Sequence, residues 1–222
     1  TDTLDTIGCL ARSVDDIKLL FDIIRVKGKD YPFVEEKLKA YTFSPKAIFK
    51  VGYVIDGIWV FDKFYPYALK SFNKLLNKLA GVKNIELVKI KPKPEFNEIH
   101  KMHAVIYDKS LSYYFKNEYQ THHLMSDIMK SAIEIGNRIT ANDYISALEK
   151  QNTIRNRIES QLENYDIILT LSTAGEAPLI NNPEIPDLCL IWTFLGFPVL
   201  NIPMFKGPEN MPFGLQAVAK RY

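Results

Sequence analysis

Ala47-Ile-Phe-Lys-Val-Gly-Tyr-Val54, the run from Tyr65 to Leu79, and Ile85-Glu-Leu-Val-Lys-Ile90 together decide the fold. Residues 47–54 alternate loosely between apolar and polar and lead into Asp56-Gly57, a turn pair, so they read as a buried strand. Tyr65, Leu69, Phe72, Leu76 and Leu79 recur at spacings of 4, 3, 4 and 3, which puts them on one face of a helix. Gly81 is a plausible stop for that helix. Ile85–Ile90 then reads as a second strand, ended by Lys91-Pro-Lys-Pro94. Two strands joined by a crossover helix form a βαβ unit, and that connection favours parallel pairing.

Working outward, Ile167-Ile-Leu-Thr-Leu171 follows Tyr165-Asp166 as a third apolar strand. Val199–Pro203 and Phe213–Val218 form a last pair across a Pro/Gly-rich turn. The expected architecture is α/β: one mixed, largely parallel sheet with helices on both faces and strands near 48–54, 85–90, 166–171, 199–203 and 213–218. Glu95 to Asn164 reads as helical. Within it Thr140 with Asp143 caps a long helix whose apolar face carries Ile145, Leu148, Ile154, Ile158 and Leu162. Near the start, Ser13 with Asp16 caps a helix carrying Val14, Ile17, Phe21 and Ile24. Residues 28–46, with Pro32 and Pro45, read as a polar surface connection.

Composition narrows the function classes. The 222 residues are 47% apolar, as a folded core requires, and carry 28 basic against 26 acidic side chains. A near-neutral balance implies neither a nucleic acid nor an anionic membrane partner. No apolar run approaches the roughly 20 residues of a membrane span, and no signal-peptide pattern opens the chain. Cys9 and Cys189 are too few for a disulfide framework and read as two small buried thiols in a reducing, cytoplasmic setting.

Two further stretches carry a resemblance. They are Thr3-Leu-Asp-Thr-Ile-Gly-Cys-Leu-Ala-Arg-Ser-Val-Asp-Asp16 and Trp192-Thr-Phe-Leu-Gly-Phe-Pro198, followed by Ile202-Pro203 and Pro212-Phe-Gly-Leu-Gln216. In order and separation they resemble the amidase signature family, over the C-terminal half of its catalytic domain. The helix–strand pair after the first stretch fits the same pattern, as does Tyr165-Asp166 leading to a small-residue loop ending Ala177-Pro178. Cys9 stands where that family usually has proline. The resemblance implies that residues 1–222 are the C-terminal part of a single amidase domain. It also implies amide cleavage by a Ser-Ser-Lys triad set in a Gly/Ser-rich segment. Of the ten glycines here no two are adjacent, and neither Ser-Ser nor Gly-Ser-Gly occurs. The chain is therefore expected to lack its own nucleophile and catalytic residues, and to depend on the missing N-terminal half of the same domain.

The resemblance also suggests where substrate sits. Trp192, six residues before Pro198, falls where related amidases line the acyl or leaving-group pocket, and Cys189 lies one turn earlier on the same helix face. The competing expectation is that Trp192 packs under the sheet. Thr173, in the loop after the third strand, is the other pocket candidate, because open α/β sheets place ligands at strand ends. Glu176 on that loop adds polarity to the rim or is simply solvated. His100 and His103 share a helix face, but no Cys, Asp or third His stands at ligand spacing and His122-His123 diverge, so no metal is expected. The lysines of Lys89-Ile-Lys-Pro-Lys93 read as a solvated strand end. Tyr107, Tyr113, Tyr114, Phe115 and Tyr119 read as helix–helix packing in preference to a greasy substrate tunnel.

Three function classes follow. The first is part of an amide hydrolase acting on a small-molecule amide, without cofactor, and with a homodimer as one form of assembly. The second is the A component of a tRNA-dependent amidotransferase. In those components an aspartate ten residues before the last helix glycine holds the amine. Counting back from Gly196 reaches Pro186, with Asp187 one place off. The third is a non-catalytic, amidase-like scaffold.

Overall fold

The computed structural model describes residues 3–24, 47–121, 123–183, 185 and 188–221. It comprises two compact units, Thr1–Leu4 with Ala47–Arg221, and Asp5–Lys46 with Tyr222. In the smaller unit the described structure is one helix, α1 (Val14–Ile24). Ser13 Oγ accepts from the Asp16 N–H at 3.1 Å, and Asp15 and Asp16 occupy the first turn, where carboxylates favour the helix dipole. Local signals thus account for α1, none of whose residues is buried. The expected connection at 28–46 lies outside the described residues.

The larger unit holds one five-stranded sheet in the order β2-β1-β3-β5-β4. Its strands are β1 (Phe49–Tyr53), β2 (Ile85–Lys89), β3 (Ile167–Leu171), β4 (Val199–Lys206) and β5 (Pro212–Val218). β1 pairs in parallel with β2 and with β3, and the crossover between β1 and β2 is α2 (Pro66–Ala80). Pro66 starts α2 at the position where a missing N–H is harmless, and Ala68, Phe72 and Leu76 are its buried stripe. β5 runs antiparallel to β3 and to β4. The parallel character is therefore confined to β2-β1-β3, because the short link from Lys206 to Pro212 turns β5 straight back along β4. β4 also runs past Pro203, where the sequence pattern ends it. A bulge between Ile202 and Phe205 accommodates the proline on this edge strand.

Between β2 and β3 lie α3 (Ile99–Tyr114), α4 (Lys116–Gln120), α5 (Asp127–Arg138) and α6 (Ala141–Leu162), and α7 (Cys189–Leu195) precedes β4. α3 packs on α5, α6 and α7. Its approach to α5 is so close that a Cβ on Gly136 would strike the Asp108 carbonyl. The Thr140–Asp143 capping box starts α6 as its sequence predicts. Its buried face is Ala147, Gln151, Ile154, Ile158 and Leu162, whereas Ile145 is exposed. Tyr107, Tyr113, Tyr114 and Phe115 are likewise exposed, and so do not fill a helix–helix core.

α7 is seven residues long and ends at Gly196 in the left-handed region, with φ 67°. Gly tolerates this conformation because it has no Cβ to clash. The last carbonyls of such a short helix need partners from elsewhere. α6 supplies them: Gln151 Nε2 donates to the Phe194 carbonyl and Arg155 Nε to the Leu195 carbonyl, both at 2.8 Å. Gln151 and Arg155 are one helical turn apart, so a single stripe of α6 closes the end of α7.

Candidate functional site

Beyond the carboxyl end of β3 the chain forms the small-residue loop 172–178, and beside it lies a cavity of about 360 Å³. Ligands in open α/β sheets occupy this kind of position. Ser172 remains in the ladder, its N–H donating to the Gly214 carbonyl of β5 at 3.0 Å. Thr173 lines the cavity, and its Oγ1 donates to the Gly175 carbonyl at 2.8 Å, which folds the loop on itself. Tyr65 and Phe213 supply aromatic wall. Tyr67 braces them, stacked on Tyr65 at 5.4 Å between ring centroids and edge-on to Phe213 at 5.8 Å.

Glu176 behaves differently from a solvated loop glutamate. Its carboxylate accepts from the N–H of Met211 at 2.7 Å and of Glu209 at 3.2 Å, pinning the β4–β5 turn over the loop. A Cβ on Gly207 would occupy the space this carboxylate fills. The Glu176 N–H in turn donates to the Tyr67 hydroxyl at 2.8 Å. Burial pushes the Tyr67 pKa upward, so the phenol stays neutral and its oxygen remains an acceptor. The loop, the turn and the aromatic wall are thus one hydrogen-bonded assembly.

Cys189 lies behind this wall and is not among the lining residues. Its sulfur accepts from Gln216 Nε2 at 2.8 Å and donates to the Ser172 carbonyl at 3.4 Å. Gln216 is itself held by Thr170, whose Oγ1 donates to Oε1 at 3.3 Å. Cys189 therefore supports the residue at the cavity's edge through a buried polar chain. Cys9 and Cys189 are both thiols outside any disulfide and half-buried, where the sequence suggested full burial.

Trp192 sits deeper still, with only 1% of its surface exposed. Its ring stacks on Phe197 and meets Phe96 edge-on, each at 6.3 Å, and it does not line the cavity. His100 packs against Trp59 at 4.7 Å and His103 stacks on Tyr107 at 5.7 Å, so both rings serve aromatic packing. Among the described residues no three His, Cys, Asp or Glu side chains gather to hold a metal. His122 and Asp187 lie outside the described residues. Also among them, no helix is long and apolar enough to cross a membrane. Residue patterns alone do not reveal Ser172, Asn201 and Gly214, which three different strands bring to the cavity.

The family model for amidases matches residues 1–222. The chain belongs to the amidase family. A curated relative from Sulfurimonas denitrificans, the A component of its glutamyl-tRNA(Gln) amidotransferase, is 24% identical over 99% of this chain and 56% of its own length. Among solved structures, an amidase superposes with a TM-score of 0.75 at 20% identity, covering 95% of this chain and 48% of that one. A 6-aminohexanoate cyclic dimer hydrolase superposes at 0.67 and 15% identity, covering 95% and 50% respectively. At these identities the structural matches establish the shared amidase fold. The chain spans about half the length of the relatives it matches.

Proposed function

We propose that the protein containing these 222 residues hydrolyses a carboxamide C–N bond, and that this part of a single amidase domain supplies substrate-binding wall while the nucleophile lies outside it. Membership of the amidase family over residues 1–222 carries this reading. Two observations support the division of labour. The sequence holds no Ser-Ser, no Gly-Ser-Gly and no two adjacent glycines, so the glycine-rich backbone that an oxyanion site beside a serine nucleophile calls for is not among residues 1–222. The cavity beside Thr173 is also large enough for a small amide. Cys189 braces the wall from behind, and Trp192 reaches substrate only through the packing it maintains.

A serine-directed fluorophosphonate tests the proposal. Residues 1–222 alone stay unlabelled, whereas the protein that includes the complementary half is labelled on one serine of that half. Stoichiometric labelling of a serine within 1–222 overturns it.

A second reading is favoured by the similarity to the A component of an amidotransferase. In that case the amide is glutamine and the released ammonia passes to an acceptor held by partner proteins. Ammonia release that depends on the added partners separates this case from a free-standing hydrolase.

A further inference from the structure

We propose that Ser172 and Asn201, converging over Gly214, form a seat for a neutral hydrogen-bonding group, a primary carboxamide on a short apolar stem. The proposal rests on the cavity assigned above to substrate and names the two side chains that recognise the ligand's polar head. Ser172, just past β3, falls opposite Gly214 of β5, and Asn201 of β4, whose partner in β5 is Gln216, reaches Gly214 on the diagonal from the adjacent strand. A Cβ at position 214 would collide with both Asn201 Oδ1 and Ser172 Oγ. The two polar atoms therefore occupy the space that the missing side chain leaves. Ser172 is 4% exposed and lines the cavity with Asn201. Among the described residues, neither side chain makes a hydrogen bond.

The chemistry of the pair selects the ligand. A serine hydroxyl both donates and accepts, and an asparagine amide offers one acceptor and two donors. Together they match a carboxamide, which presents a C=O and an NH₂ side by side. No lysine or arginine lines the cavity among the described residues, so a carboxylate would lose its hydration without gaining a counter-charge. Glu176 on the rim adds negative charge and disfavours an anion further. Ala174, Pro178 and Phe213 provide apolar surface for the stem.

Titration of the isotope-labelled chain with propionamide, followed by amide NMR shifts, tests the seat without depending on turnover. Propionamide should shift Ser172, Gly175 and Gly214 saturably, and propionate should bind at least about tenfold more weakly. Ser172→Ala and Asn201→Ala should each weaken propionamide about fivefold, the loss expected for one hydrogen bond. Gly214→Ala should abolish binding with little change in melting, because its methyl meets the ends of side chains that can swing aside. Should Gly214→Ala fail to fold, the other two variants decide. Absence of saturable shifts, equal binding of propionate, or unchanged affinity in the Ser172→Ala/Asn201→Ala double variant overturns the seat. Binding here with no serine labelled in the complete protein keeps the seat and removes the hydrolase reading. Labelling without binding does the reverse.

Discussion

Thr3 and Phe194, at opposite ends of the chain, meet on the side chain of Gln151. Thr3 Oγ1 donates to Oε1 at 2.9 Å, and Nε2 donates to the Phe194 carbonyl at 2.8 Å. Gln151 is 1% exposed, so neither bond has water as a ready substitute. Thr3, Gln151 and Phe194 all belong to the larger unit, and this glutamine ties its first described residue to the end of α7.

Gln151→Leu should therefore destabilise the protein by about 1–3 kcal/mol, the cost of a buried carbonyl left unpaired. Chemical denaturation of the variant checks the magnitude. A change near zero means that the α7 carbonyl finds another donor.

Glu176→Ala should free the turn between β4 and β5. Hydrogen bonds to a carboxylate contribute about 1.5–3 kcal/mol when shielded, and Glu176 makes two to backbone N–H groups. Hydrogen exchange at the Glu209 and Met211 amides should accelerate, while exchange in β1 stays unchanged. Uniform acceleration over the sheet means that the carboxylate holds the whole fold and not the turn alone.

Trp192→Ala should lower stability by about 3–5 kcal/mol, since the indole is sealed between Phe96 and Phe197. In the complete protein kcat/KM should fall in parallel for every amide offered. A shift in the order of preferred amides, with melting preserved, assigns the indole to the substrate pocket instead.

Asp108 gives a pH signature. Burial raises its pKa above 3.8, so the folded state holds the proton more tightly than the unfolded state does. The stability from that proton is complete below the unfolded value and is lost as pH rises through the folded one. Asp108→Asn should therefore melt higher than the parent at pH 7, and the difference should shrink as pH falls through the raised folded value and be gone below about 4. A constant difference across that range removes the titration from the explanation.

The sheet is legible in the sequence because its signals are local. Strand cores at 49–53, 85–89 and 167–171 follow apolar runs bounded by turn residues, and α2 follows the period of Leu69, Phe72 and Leu76. The α6 face departs from its apolar pattern at Ile145 and Gln151, because polarity is a poor guide where a glutamine has a carbonyl to satisfy. The cavity is half legible. Thr173 can be placed by its position after a strand, but Ser172, Asn201 and Gly214 become neighbours only through the order of β3, β5 and β4. Glu176 reads as solvated because nothing in its own loop reveals the two N–H groups that the distant turn presents to it.

The edge position of β4 bears on how this chain behaves in concentrated solution. β4 pairs on one side with β5 and carries exposed Val199 and Met204. An open strand of this kind recruits other strands, whether from a rightful mate or from a misfolded neighbour. Pro203 and the adjacent bulge break the row of donors after Ile202. A visiting strand can zip along only a short stretch before it loses register, so the proline acts as a gatekeeper against runaway fibre growth and leaves room for a short, specific graft.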